Sequence, residues 1–324
     1  MKSYAAEFRQ LLLTLAAVFF FTSLVLLIAG APPFAAYYYI FKGSLGSWIK
    51  FSHVLKAWIP LTLCGCGLLF TFRIGLWNIG VEGGLAGGAV WALLAGLLKT
   101  RGGVNEIFAG LGLNFVAQGI ILWLIFGPWR RPGVASMSGT ETFPMKLWMP
   151  MLESLRLSPV ALLTVMLALV LTGLLLRYAR VGLNLKAIGG NPDAAYLFGL
   201  KPGRFMLLAM IFAGGFAGLA GSLQVSGLYH RLIPAISSNY GYLSLLVVML
   251  SNYNIWLVPP LAFFFACLNV GSIQLPMVLQ LDSSLSGVIQ GALVLTTLGV
   301  HAWRRRWAEI GEREKNSGLK GLRD

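Results

Sequence analysis

Long apolar runs without charge dominate the pattern of hydrophobic and polar positions along this chain. Residues 107–129, 157–176 and 205–229 are uncharged, and each is long enough to cross a hydrocarbon core, which takes roughly 20 residues at helical rise. A fourth uncharged stretch, residues 232–281, contains Pro259-Pro260, and this pair predicts two spans joined by a tight turn. Continuous runs of this length favour helices over the alternating strands of a membrane barrel.

These runs predict an all-α integral membrane protein, a polytopic bundle of about 8–10 transmembrane helices. We expect one transmembrane domain over residues 1–303 and a charged cytoplasmic tail over 304–324. The first run follows Lys2 and Arg9 and is expected to be a retained helix rather than a signal segment. The nine candidate spans are residues 11–31, 57–72, 83–98, 105–127, 158–176, 205–229, 241–257, 259–275 and 285–303.

Composition agrees with lipid as the main solvent. Of the 324 residues 57% are hydrophobic and 11% are charged, whereas a soluble domain carries about 25% charged residues. The net charge of +14 comes mainly from residues between apolar runs, where the positive-inside rule places them, so it does not indicate nucleic-acid binding. The cysteines Cys64, Cys66 and Cys267 have no histidine or carboxylate spaced to complete a metal site, and we expect neither a metal nor a cofactor.

The orientation of the chain in the membrane stays open at the N-terminus. The basic stretch 177–204 and the tail are both expected to be cytoplasmic, and the four candidate spans between them agree with that. The five candidate spans before residue 177 then place the N-terminus outside. A cytoplasmic N-terminus needs one crossing more, or one fewer, before that residue.

The basic stretch contains a short predicted helix. Asn191 is suited to the N-cap, Pro192 to the first helical position and Asp193 to the positive end of the helix dipole. Gly199 can end the helix in the left-handed conformation. The pattern predicts about two turns in a cytoplasmic loop, and it is compatible both with a plain surface turn and with an element that docks onto a partner.

A few polar residues within or beside apolar runs are the candidates for function. A polar side chain at membrane depth must find a partner, and it marks either a solute path or a helix-to-helix hydrogen bond. The candidate residues for a translocation path are Asn78, Glu82, Asn105, Glu106 and Asn114.

The chain lacks the sequence patterns of several enzyme classes. It contains no G-x-x-x-x-G-K-[ST] phosphate-binding loop, no H-E-x-x-H and no G-x-S-x-G. The three histidines lie far apart at the ends of runs. We therefore expect no catalytic residues and no binding of ATP phosphates by that loop in this chain.

Several distinctive motifs follow one another along the chain, beginning with residues 75–83, G-L-W-N-I-G-V-E-G. This string is similar to the G-x-x-N-I-G-x-E-G signature of one family, the permeases of the branched-chain amino acid, ribose and nucleoside class of ABC importers. Three further segments resemble the nucleoside branch, whose receptors are basic membrane lipoproteins: residues 103–107 with Leu113-Asn114, residues 181–195 and residues 214–221.

The resemblance implies a function and partners. It implies alternating access to a path for nucleosides or related solutes in the bacterial plasma membrane. A separate ATPase would hydrolyse ATP, a second homologous permease would complete the path, and an external lipoprotein would deliver the ligand. The helix after Asn191 would dock onto the ATPase, and the residues implied in this coupling are Gly190, Asn191, Pro192, Asp193, Ala194, Ala195 and Gly199.

The chain departs from the family between residues 84 and 98. Gly84 stands where the family usually has Gln, and about one helix is missing before Gly96. Either a span is absent, or residues 57–98 cross the membrane in an unusual way, with a broken or re-entrant helix. Two alternative functions stay open, the second of them because of this shortened region. One is a stand-alone secondary carrier or channel that uses Glu82 and Glu106 as ion sites, and the other is a subunit that does not itself transport.

Overall fold

Helices make up the regular structure of the chain. The computed structural model describes residues 32–131, 139–152, 157–234 and 236–273, with scattered residues among 16–30 and 278–302. In these ranges the one β-type contact is an isolated bridge between Leu152 and Leu157. The α-helices are α1 (Pro33–Leu45), α2 (Trp48–Arg73), α3 (Val81–Thr100), α4 (Glu106–Phe126), α5 (Pro159–Arg177), α6 (Arg180–Gly190), α7 (Pro192–Leu197), α8 (Pro202–Gln224), α9 (Tyr240–Leu250) and α10 (Val258–Ser272). The predicted all-α membrane class is confirmed.

The chain divides into two compact units. One unit is Ser44–Cys267, and the other combines Met1–Gly43 with Leu268–Asp324. In the second unit the segment Phe19–Ile28 and α1 are bent by 110° relative to each other, and together they have the length of one span. The polar residues of interest all lie in the first unit.

Six helices in the described part of the chain are long and apolar enough to cross a membrane, or seven if the bent pair counts as one span. Their residue ranges overlap those of the predicted spans 57–72, 83–98, 105–127, 158–176, 205–229 and 259–275. The predicted spans 11–31 and 285–303 and the tail 304–324 lie largely or wholly outside the described residues, so the total of 8–10 helices and the single domain over 1–303 stay predictions.

The predicted span 241–257 and the turn at Pro259-Pro260 are wrong. The helix α9 has 11 residues, too few to cross the membrane, and the chain turns at Asn252 and Tyr253, whose φ angles are 49° and 61°. Asn254 then accepts a hydrogen bond from the Trp256 N–H at 3.1 Å. The two prolines lie in the first turn of α10, where proline is tolerated because the helix needs no N–H donor there.

The helix α2 lies at the centre of the first unit. Apolar side chains in its second half, including Leu61, Leu63 and Phe70, are fully buried. Phe70 stacks on Phe212 of α8 with ring centroids 4.8 Å apart. A Cβ added at Gly67 would lie 2.9 Å from the Ala213 Cα, so the two helix backbones approach as closely as small residues allow in membrane bundles.

The helix α3 is broken at Gly88, where φ is 60° and ψ is −148°. Only glycine adopts this conformation without strain. A Cβ added at Gly218 of α8 would lie 2.7 Å from the Gly88 Cα, so the break packs directly against the α8 backbone. A broken helix is one of the alternatives that the sequence left open for residues 57–98.

Candidate functional site

Asn114 joins three segments of the first unit. Its side-chain oxygen accepts a hydrogen bond from the Gly83 N–H at 2.8 Å. Its amide nitrogen donates to the Ile79 carbonyl at 3.0 Å and to the Tyr242 hydroxyl at 3.1 Å. The side chain is 3% exposed, so it meets its partners inside the protein. Asn114, in α4, thereby links residues 79–83 at the start of α3 to α9.

Glu82 lies beside this amide and caps another helix. Its Oε2 accepts a hydrogen bond from the Gly241 N–H at 2.7 Å, at the start of α9. The residue before α9, Asn239, makes no capping hydrogen bond with its own side chain. A carboxylate at a helix N-terminus is favoured by the helix dipole and by the free N–H groups there. The buried Glu82 therefore replaces a local cap for α9.

Asn78 has hydrogen-bonding capacity that the described residues do not use. The residue is 1% exposed, and neither its amide oxygen nor its amide nitrogen has a partner in the described part of the chain. A buried amide without partners costs free energy. Asn78, Glu82 and Asn114, with Tyr242 and Gly241, form what we call the polar cluster.

Asn105 and Glu106 lie apart from the polar cluster. The Asn105 side chain accepts a hydrogen bond from the Ile107 N–H at 2.9 Å and so caps α4. The Glu106 Oε2 lies 2.8 Å from the Lys99 Nζ, an ion pair that ties the end of α3 to the start of α4. Eight residues of helix, or about 12 Å, separate Glu106 from Asn114. The structure thus groups three of the five candidate path residues and gives the other two contacts at helix ends.

The predicted short helix in the basic stretch is present as α7. The Asn191 side chain accepts hydrogen bonds from the N–H groups of Asp193 and Ala194, both at 3.0 Å. Gly199 ends the helix with a φ of 83°, and the Leu200 N–H donates to the Ala195 carbonyl at 3.1 Å. A cap at each end fixes the shape of this loop.

The tip of α7 exposes three large apolar side chains in a row. Tyr196 is 68% exposed, Leu197 85% and Phe198 88%, whereas Ala195 is buried at 5%. Exposed apolar side chains that adjoin one another mark interaction surfaces. We call Tyr196–Phe198 the α7 tip. No prediction from the sequence named these three residues as a surface, although an apolar run within a basic stretch could have indicated one.

Two other contacts could not be found from the sequence. Gly241, the partner of Glu82, is 159 positions away, and no local pattern links the two. Gly189 at the end of α6 packs so closely on Arg73 at the end of α2 that a Cβ there would overlap the Arg73 carbonyl oxygen. This contact places the end of α6, two positions before the Asn191 cap of α7, next to the segment that leads into the polar cluster.

Comparison with known proteins identifies the class of the chain. A family described as the permease component of the branched-chain amino acid transport system matches residues 83–298, more than half of the chain. A glucose ABC transporter permease protein of Haloferax volcanii is 27% identical over 305 residues, which covers 82% of this chain and 80% of the relative. A guanosine ABC transporter permease protein of Bacillus subtilis is 23% identical over 300 residues, covering 82% and 85%. A nucleoside ABC transporter permease protein of Lactococcus lactis is 22% identical over 274 residues, covering 72% and 74%.

The chain belongs to this permease family. It is a multi-pass membrane protein and a permease subunit of an ATP-binding-cassette importer. The resemblance drawn from the sequence motifs is thereby confirmed. The relatives are transport permeases rather than enzymes.

Proposed function

We propose that this chain lines one half of a path for nucleosides or related polar solutes in the bacterial plasma membrane. A separate ATPase docks on residues 190–199 and drives alternating access. The second half of the path is a homologous but different permease, and an external lipoprotein delivers the solute. The names of the guanosine and nucleoside relatives support this ligand class. The motifs near residues 103–107 and 181–195 support the same branch.

The observation that carries the docking role is the α7 tip. Its apolar side chains are exposed on a helix that is capped at both ends, so a partner can bury them without first ordering the loop. Preorganised surfaces bind more tightly because less conformational entropy is lost. A partner that binds the α7 tip moves α6 with it, because Asn191 directly follows the last residue of α6.

The polar cluster is our candidate for the part of the path that contacts solute. Asn78 offers an unused amide donor and an unused amide acceptor in the described part of the chain, which suits the hydroxyl and base groups of a nucleoside. The polar cluster lies at the starts of α3 and α9, and in transporters the ends of interrupted helices commonly form solute sites. Asn105 and Glu106 shape the path indirectly, through the cap and the ion pair that fix α4.

A pair of matched variants tests the docking role. Leu197→Ser removes the centre of the α7 tip, and Leu147→Ser changes a leucine that is 62% exposed in a different loop. We expect Leu197→Ser to lose the co-purifying ATPase and ATP-dependent uptake of labelled guanosine. Truncating a central apolar contact of an interface commonly costs about 2 kcal/mol or more, which is roughly a thirtyfold loss of affinity.

The control variant Leu147→Ser should keep both the ATPase and the uptake. If the ATPase still co-purifies with Leu197→Ser, the proposal that it docks on the α7 tip is contradicted. Uptake that follows the proton gradient and ignores ATP depletion would instead favour a stand-alone carrier.

A further inference from the structure

We infer that α3 does not cross the membrane. Residues 75–100 form a re-entrant hairpin that enters from the side of α6 and α7, turns over Leu85–Gly88 in the interior and returns to the same side. The inference rests only on contacts within Ser44–Cys267, and it does not depend on the solute or on the ATPase.

The helices α2 and α8 run in opposite directions. In the first half of α2, Lys56 and Pro60 line a small cavity together with Ser158 at the start of α5 and Gln224 at the end of α8. In its second half, Gly67 packs on Ala213 at the middle of α8. At its end, Arg73 packs on Gly189 of α6, which follows α5. Because α5 separates Ser158 from α6, the helix α2 crosses the membrane and ends on the side of α6.

The end of α3 lies on this same side. A Cβ added at Gly96 would lie 3.0 Å from the Leu207 side chain and 3.3 Å from Met210, both in the first turns of α8. Lys99 pairs with Glu106 at the start of α4. Both α2 and α3 therefore end beside the start of α8, and the chain between Arg73 and Thr100 makes no net crossing.

The C-terminal end of α4 lies on the side of the membrane opposite to α6. The loop that follows it bonds to the region just beyond α8: the Thr140 N–H donates to the Leu232 carbonyl at 3.0 Å. The Met149 N–H donates to the Ser226 carbonyl at 3.2 Å. The helix α4 therefore crosses from the α6 side to the side where α5 begins, which confines the hairpin to residues before α4.

The break at Gly88 folds the chain back on itself. A Cβ added at Gly84 would lie 3.7 Å from the Gly214 Cα, and Ala92 also packs directly on Gly214. In a straight helix these two residues would be about 12 Å apart along the axis. A Cβ added at Gly87 would lie 2.7 Å from the Trp91 Cβ, a further sign that the two arms are folded together.

The tip of the hairpin reaches the membrane interior. Gly88 contacts Gly218, and the Leu85 backbone packs on Gly221. These two glycines are about 24 Å and about 29 Å along α8 from Pro202 at helical rise. The arm before the tip carries Asn78 and Glu82, so the hairpin brings the polar cluster in from the α6 side. This arrangement leaves three crossings between Trp48 and Arg177, where the apolar runs alone suggested four.

Cysteine labelling tests the hairpin in the full chain. In a background in which Cys64, Cys66 and Cys267 are replaced by alanine, single cysteines are placed at the exposed positions Trp77 and Arg101, before and after α3. Lys186→Cys in α6 and Lys146→Cys in the loop after α4 mark the two sides. A membrane-impermeant maleimide is applied to right-side-out and to inside-out vesicles, and to detergent-solubilised protein.

We expect Trp77→Cys and Arg101→Cys to be labelled in the same vesicles as Lys186→Cys, and Lys146→Cys in the opposite ones. Labelling of Trp77→Cys together with Lys146→Cys would overturn the hairpin and make α3 a full span. Labelling of Trp77→Cys only in detergent would also overturn the hairpin. The hairpin places residue 77 at the membrane surface on the α6 side, where the water-soluble maleimide must reach it in vesicles. The labelling pattern does not depend on ATPase binding or on uptake. The hairpin and the proposed function can therefore be contradicted independently of each other.

Discussion

At the residue scale, Asn114 makes three hydrogen bonds that tie the polar cluster together. Its side chain forms hydrogen bonds with the Gly83 N–H, the Ile79 carbonyl and the Tyr242 hydroxyl at distances of 2.8–3.1 Å. Each buried group left without a partner costs about 1–3 kcal/mol in water-soluble proteins, and hydrogen bonds between membrane helices are worth about 0.6 kcal/mol on average. The amide therefore contributes to stability mainly by preventing buried groups from being left unpaired.

Asn114→Leu should lower the free energy of unfolding by at least about 1–3 kcal/mol, the cost of one buried group left unpaired, because it takes the partner from three groups while the number of side-chain heavy atoms stays the same. The measurement is the midpoint of thermal unfolding in detergent. Gln118→Leu is the matched control, since Gln118 lies one turn further along α4 and is exposed. Equal midpoints for the two variants would contradict the role assigned to Asn114.

At the element scale, the contact between Gly189 and Arg73 connects the docking helix to the hairpin. Gly189 precedes the Asn191 cap of α7 by two positions, and Arg73 precedes the arm that carries Asn78. A movement of α7 therefore displaces the base of the hairpin, provided that the backbones stay in contact. This connection rests on the proposed docking role of α7.

Gly189→Ala should force α6 away from the end of α2, because its Cβ would overlap the Arg73 carbonyl oxygen. Overpacking of this kind costs about 1–3 kcal/mol, so we expect ATP-dependent uptake to fall roughly tenfold, the factor that 1.4 kcal/mol produces, while the ATPase still co-purifies. Gly203→Ala is the control, since Gly203 lies outside residues 190–199 and no atom lies within 4 Å of the added Cβ. The same uptake in both variants would count against a connection through this contact.

The elements also differ in how far the sequence could predict them. The helix α7 could be predicted because Asn191, Pro192 and Gly199 act on backbone groups within a few positions. The break in α3 could not be located, because Gly80, Gly83, Gly84, Gly87 and Gly88 can all adopt the required conformation. The turn before α10 was misplaced because proline marks the start of a helix as readily as it marks a break.

At the scale of the whole molecule, the apolar runs predicted the membrane class and most of the spans in the part of the chain that the structure describes. Each run reflects the thickness of a bilayer, a property of the solvent that needs no knowledge of the partner helices. The polar cluster depends on contacts such as that of Glu82 with Gly241, 159 positions apart. Candidate site residues could therefore be named from the sequence, but only the packing of α3, α4 and α9 shows which of them lie together.

The most direct test of the account is to identify what binds the intact chain. The chain is tagged, expressed together with the genes that adjoin its own and purified in mild detergent, and its partners are identified by mass spectrometry. We expect an ATPase and a second, dissimilar permease to co-purify with it in fixed proportion. A stable chain that purifies without an ATPase, from membranes in which that ATPase is present, would contradict the proposal that this permease works in an ATP-driven importer.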